Sequence, residues 1–183
     1  GTLELGRKAG LWSARGDAVL HEFAAEGAGL AGDRLVLESL STGCDAVQTA
    51  AGWSIRKLDV RSPIADLTAT GAIPADDGAP TVLTGQVDLA AASKLLPRAI
   101  PLREGVAIRE GRARIRAELS LKDGADRLHV SADVSDLAAT DGPRPLTLKE
   151  PARLSAALVR AGDVVKVETF AVKAAGVDAT AAG

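Results

Sequence analysis

Apolar and polar residues alternate with period two along most of this chain, the pattern that puts one kind of side chain on each face of a β-strand. From Arg112 to Leu121, the set Ala113, Ile115, Ala117, Leu119 and Leu121 alternates with Arg112, Arg114, Arg116, Glu118 and Ser120. Leu128, Val130, Ala132 and Val134 then alternate with His129, Ser131 and Asp133. Between the two runs, residues 122–126 (Lys-Asp-Gly-Ala-Asp) make a polar, glycine-containing turn of the kind that joins antiparallel neighbours. Keeping both apolar sets on one face sets Leu121 opposite Leu128 and Arg116 opposite Asp133, the latter as a cross-strand ion pair.

A second hairpin is expected from residues 153–159 and 164–172, joined at Arg160-Ala161-Gly162-Asp163, with Leu154, Ala156 and Leu158 facing Val165 and Val167. Further strands are expected over 18–25, 34–41, 44–50, 54–62, 65–73 and 82–89, with Gly, Pro or Asp at nearly every boundary. One segment departs from this period. Residues 89–96 (Leu-Ala-Ala-Ala-Ser-Lys-Leu-Leu) are rich in helix formers and stop before Pro97, which predicts a short helix. Its apolar residues, with Ile100, Leu102, Val106 and Ile108, are placed to cap an open end of the sheet layer.

The two halves resemble each other at an offset of 110 to 112 residues. Residues 33–38 parallel 144–149, Gly52 parallels Gly162, 58–62 parallel 170–174, and 66–71 parallel 178–183. The expected fold is all-β: an antiparallel, twisted sheet curled into an open groove or a sandwich-like layer, with one short helix near 89–96. Residues 1–74 form a first β-repeat, 75–109 a connector with the helix, and 110–183 a second repeat, all within one continuous β-structure.

Composition narrows the function. The chain of 183 residues is 46% hydrophobic, but holds only two Trp and two Phe and no Tyr, so its apolar face is aliphatic and poor in anchors for a specific ligand pocket. The absence of Met suggests a fragment from inside a longer chain. A net charge of -2 with interspersed signs provides no basic field to gather nucleic acid. A single cysteine, Cys44, excludes an internal disulfide, a CxxC pair and a cysteine-based zinc site. No apolar run approaches the roughly 20 residues a membrane helix needs.

Candidate reactive groups are few. Residues 27–32 fit GxGxxG, but a strand pattern follows instead of a helix N-terminus, so a Gly/Ala loop is the reading. His129 falls on a polar face; His21 shares parity with Val19 and Phe23, and neither stands in a metal-ligand spacing. Cys44 opens an alternating run without an oxyanion signature, as a small buried hydrophobe would, and its counterpart in the second half is Leu154. The carboxylate pairs Asp76-Asp77 and Asp123 with Asp126 belong to turns. Neither a catalytic site nor a metal or other cofactor is expected. The Arg112, Arg114, Arg116 stripe fits a solvated outer face paired with acids of the next strand, and is also the candidate contact for lipid headgroup phosphates, which guanidinium groups bind in bidentate fashion.

The succession Asp33-Arg34-Leu35-Val36-Leu37-Glu38, then residues 53–62 (Trp-Ser-Ile-Arg-Lys-Leu-Asp-Val-Arg-Ser) and 65–71 (Ala-Asp-Leu-Thr-Ala-Thr-Gly), resembles the repeats of AsmA-like and TamB-like bacterial envelope proteins. Gly85-Gln86-Val87-Asp88-Leu89 with Lys94-Leu95-Leu96-Pro97 is similar to their strand-to-short-helix link. The resemblance covers most of the chain and is one of pattern. It implies a long β-groove with an apolar inner face, in the periplasm or cell envelope and tethered to the inner membrane by a segment outside this sequence. It further implies a part in phospholipid movement or outer-membrane assembly, with no catalytic residues.

The expected function is therefore a non-enzymatic segment that binds or conducts lipid, with phospholipid acyl chains and neighbouring β-repeats as partners and no nucleic acid. The residues expected on the lipid-facing side are Leu35, Leu37, Ile55, Leu58, Val60, Leu67, Ile115, Leu119, Leu128, Val130, Leu146, Leu148, Val165 and Phe170. A structural β-sandwich or spacer domain is the alternative, and it would close the apolar faces on each other.

Overall fold

The computed structural model describes residues 1–27, 30–75, 80–162 and 164–183. Its strands are β1 (Thr2–Lys8), β2 (Leu11–Glu26), β3 (Arg34–Thr49), β4 (Gly52–Arg61), β5 (Ala65–Ile73), β6 (Thr81–Asp88), β7 (Val106–Lys122), β8 (Ala125–Asp141), β9 (Arg144–Thr147), β10 (Ala152–Ala161), β11 (Val164–Ala174) and β12 (Val177–Ala182). The helix α1 (Leu89–Leu95) stands between β6 and β7. All strands belong to one antiparallel sheet in sequence order, except that β9 and β10 share one flank of β8. β1 and β12 do not pair with each other, so the sheet is open and not a barrel.

Among the described residues no second sheet covers this one. Its accessible surface is 12,058 Å², against about 8,200 Å² for a compact monomer of this mass. Among the described residues the buried hydrophobic ones are Leu37, Ile64, Ala69, Ala75, Ala92 and Ala113, and no side chain is wholly enclosed. A sandwich would have hidden its inner faces; here the sheet keeps one apolar face open.

Four of these six, Leu37, Ile64, Ala92 and Ala113, lie at the end of the sheet that carries α1. Asp88 caps the helix, its carboxylate accepting the N–H of Ala91 at 2.9 Å, and its own N–H donates to Ile64 O. The helix lies against β7, β6 and β3. β3 and β7 are four strand positions apart, roughly 19 Å in a flat sheet, so α1 and the residues after it bridge one end of the sheet. Ala92 of the helix is 2% exposed, and Leu37 of β3 3%. The expected cap is present.

The repeat extends further than the sequence pattern indicates. The Ala9-Gly10 and Asp123-Gly124 turns both have two residues of positive φ (51° and 83°, 53° and 75°), and the strands after them carry a left-handed residue at Glu22 (55°) and Asp136 (54°). Ala9, Gly10 and Glu22 thus each match a residue 114 positions on. The β3–β4 ladder holds Arg56 as an extra residue and the β10–β11 ladder holds Glu168, 112 positions on. The units β1–β5 and β7, β8, β9 plus β10, β11, β12 thus share these backbone features at offsets of 114 and 112, with β6 and α1 between them.

This alignment corrects two sequence matches. At an offset of 112, Cys44 corresponds to Ala156 and not Leu154, and Gly52 to Val164 and not Gly162. The cause is a slip from 111 in β9 to 112 in β10, taken up in the connector 148–151, where the single strand β3 becomes two.

The first hairpin register is also corrected. Lys122 pairs with Ala125, so the turn is the two residues Asp123-Gly124, and positive φ at both makes it a type I′ turn. Leu119 therefore opposes Leu128, Leu121 opposes Asp126, and Arg116 opposes Ser131. Asp133 lies opposite Arg114 on β7 and binds Arg153 on β10 at 2.7 Å. A slip of two keeps every side chain on its face. Apolar parity survives while the expected Arg116–Asp133 pair is lost.

Candidate functional site

Cross-strand partners share a face, so the ladders trace rows across the whole sheet. One row reads Leu3, Gly16, Cys44, Leu58, Ala69, Leu83, Ala117, Val130, Ala156, Phe170, Ala181, from edge strand to edge strand without a polar side chain. The next row towards the cap includes Val60, Leu67, Gly85, Ile115, Ala132, Leu154 and Val172. From β5 to β10, large and small residues alternate along both rows in opposite phase. Small positions therefore zigzag from Ala69 to Gly85, Ala117, Ala132 and Ala156, a shallow trough that crosses the strands.

Most residues expected on the lipid side lie on this face. Leu58, Val130 and Phe170 stand in the first row and Val60, Leu67 and Ile115 in the second. Ile55, Leu119 and Leu128 occupy the same face nearer the hairpin turns. Val165 follows beside Arg160. Leu35 and Leu37 belong to the capped end, where they pair with Ala25 and Phe23, and Leu37 has almost no accessible surface. Leu146 pairs with Ala139 on the short β9, and Leu148 follows it, donating its N–H to Leu137 O.

The arginine stripe is on the other side of the sheet. Arg112, Arg114 and Arg116 pair with Asp88, Gln86 and Thr84 on β6, and with Ser135, Asp133 and Ser131 on β8, all of opposite parity to Ile115. The thickness of the sheet separates these guanidinium groups from the apolar face. Ion pairs run along their face: Arg15–Asp45 at 2.6 Å, Lys57–Asp59 at 2.6 Å, and Arg116 with Glu118 at 3.1 Å. A dent around Gly43 is lined by Arg15, Lys57 and Arg61 and equally by Asp17, Asp45 and Asp59, so it has no net charge to attract an anion.

The remaining candidate groups are dispersed. His129 is exposed beside Glu118, and His21 is exposed beside Ser39 rather than turned inward. Cys44 is half-buried between Gly16 and Leu58. Ala28 and Gly29 of the GxGxxG match, and Asp76-Asp77, lie outside the described residues.

One polar row on the apolar face went unread in the sequence. At the hairpin end, Arg7 pairs with Trp12, Trp12 stands beside Gln48, Gln48 pairs with Trp53, and Trp53 pairs with Ile73. Arg7 Cζ lies 5.4 Å from the centre of the Trp12 ring. The readable signal was Gly10, about which a two-residue turn sets Arg7 against Trp12.

No family model matches the chain, and no curated protein or solved structure is similar to it. The resemblance to AsmA-like and TamB-like repeats therefore rests on the strand pattern alone.

Proposed function

We propose that this chain is a non-enzymatic lipid-holding segment, whose open aliphatic face shelters acyl chains and lets them pass from strand to strand. The observation that carries the reading is the unbroken apolar row from Leu3 to Ala181, left open by a sheet with no second layer. Each acyl CH2 removed from water contributes about 0.8 kcal/mol, so such a face holds a lipid tail without hydrogen bonds. Its uniform Val, Leu and Ala lining has few features to trap that tail at one place. In keeping with the resemblance, the proposed setting is the cell envelope, between membranes or in support of outer-membrane assembly. The other proposed partners are neighbouring β-repeats of the parent chain and, through other parts of that chain, the membrane. A spacer domain would have no use for an uncovered apolar face of this extent.

The test is mass spectrometry of lipids extracted from the purified chain, together with photo-crosslinkers at Leu119, Val130 and Leu37. Phospholipid in the extract, with capture at Leu119 and Val130 and none at the enclosed Leu37, is the expected result. A lipid-free preparation with no capture at the open positions returns the chain to the spacer reading.

A further inference from the structure

The row Arg7, Trp12, Gln48, Trp53 has a structural counterpart in the second repeat. The offsets of 114 and 112 carry it onto Leu121, Asp126, Arg160 and Val165, which are themselves cross-strand partners in that order. The two rows differ in charge. In the second, Arg160 Nε meets Asp126 Oδ2 at 3.3 Å, so its cation is neutralised. In the first, the position of Asp126 is taken by Trp12 and the guanidinium of Arg7 rests on an aromatic face; among the described residues no carboxylate forms an ion pair with Arg7.

A guanidinium stacked on a ring keeps its in-plane N–H fork free for a bidentate anion. Gln48 adds donors to it: its Oε1 accepts the backbone N–H of Trp12 at 3.1 Å, which leaves the amide N–H2 group for another acceptor. Trp12 and Trp53 flank Gln48 with apolar rings, each carrying one indole N–H. Both are accessible, at 44% and 36%. Towards the cap the face continues as Ala14, Ala46 and Ile55 and then Gly16, Cys44 and Leu58, with no charged group.

We infer that this row is a station for the phosphate-bearing headgroup of a phospholipid, and that the lipid lies with its headgroup at the hairpin end and its tails towards α1. The inference rests on the lipid-holding reading above. From Gln48 to Leu40 at the edge of the capped end is about 26 Å along β3, longer than one leaflet's roughly 15 Å of hydrocarbon. The tails are accommodated before the cap is reached.

Trp12 and Trp53 are the only tryptophans, and there is no Tyr, so intrinsic fluorescence reports this row. Phosphatidylglycerol brominated on the acyl carbons nearest the glycerol should quench it more strongly than the same lipid brominated near the chain ends. Arg7→Gln should weaken phosphatidylglycerol binding about tenfold while leaving diacylglycerol binding unchanged. Equal or reversed quenching, or equal loss of both ligands in R7Q, overturns the headgroup station and leaves lipid holding intact. Absence of quenching by either lipid, with none in a direct binding assay, overturns both. Arg7 lies on an exposed edge strand, and circular dichroism of R7Q identifies any loss of the sheet.

Discussion

The backbone N–H of Arg98 donates to Asp33 Oδ2 at 2.8 Å across 65 residues of chain, and the N–H of Ala99 donates to the same oxygen at 2.9 Å. This buried carboxylate ties the segment after α1 to the start of β3 and so fixes the lid on the capped end. Asp33→Ala leaves two backbone donors without their partner and should cost about 2–4 kcal/mol. Asp33→Asn keeps an acceptor oxygen at the same place without the charge and should cost about half as much. Urea unfolding measures the difference, and hydrogen exchange at Ala99 should quicken more in Asp33→Ala than in Asp33→Asn.

Gly16 is a point where no side chain fits. Its φ is +156°, and an added Cβ would stand 2.0 Å from Thr2 O on β1. Gly16→Ala should destabilise the protein by about 2–3 kcal/mol, and the damage should begin at the edge. Exchange of the β1 amides should accelerate before that of β7 and β8, which are paired on both sides. A uniform loss of protection across the sheet would contradict this local origin.

The corrected hairpin register is directly testable in a Cys44→Ser background. Leu119→Cys with Leu128→Cys places two thiols on directly opposed residues, within the reach a disulfide needs. Leu121→Cys with Leu128→Cys, the pair expected from the sequence, is offset by two residues. Mild oxidation should cross-link the first pair and leave the second reduced.

That register shows what alternation can and cannot specify. Parity fixes which side chains share a face, and the slip of two at Asp123-Gly124 left Leu119, Leu128 and Val130 together. Parity does not count turn residues, so the ion pairing went astray. β5 was legible to the residue and α1 nearly so, because Asp66 to Ile73 is bounded by Pro63 and Pro74 and the helix by Asp88 and Pro97. β1 and the first half of β2 were not, since Ala9 is an unusual residue at φ 51° and hides a tight turn. Nor does sequence announce the left-handed Glu22 and Asp136. Near them the less exposed set on β2 changes from Ala14, Gly16 and Ala18 to Phe23 and Ala25, which takes Leu37 of β3 out of the open face. Arg7 escaped notice because a charge on an apolar face breaks the very pattern used to find the face.

Acid should weaken the first repeat through Asp59. The Lys57 ammonium, by a hydrogen bond, and the Thr68 hydroxyl hold this carboxyl below its usual value of 3.8, against a smaller opposing effect of burial. A carboxyl whose folded pKa is depressed stabilises the fold above its unfolded pKa, and the contribution disappears as pH falls through the folded value. Melting temperature should therefore fall below about pH 4, and Asp59→Asn should flatten that part of the profile. The difference between the two proteins should be largest at neutral pH and vanish at the acid end.

The two faces of β8 offer the sharpest separation of lipid holding from folding. Val130 lies in the apolar row between Ala117 and Ala156, and its neighbour Ser131 points to the other face between Arg116 and Ser155. Val130→Asp places a carboxylate where acyl chains would lie, and its desolvation beneath a lipid opposes binding by several kcal/mol. Ser131→Asp adds the same charge one residue away, beside a guanidinium. Binding of a fluorescent phospholipid should fall at least tenfold in Val130→Asp and stay within twofold of the parent in Ser131→Asp. Circular dichroism should show the sheet in both, since neither position lies in a closed core. Equal losses in the two variants would mean that net charge, and not the aliphatic face, governs lipid capture.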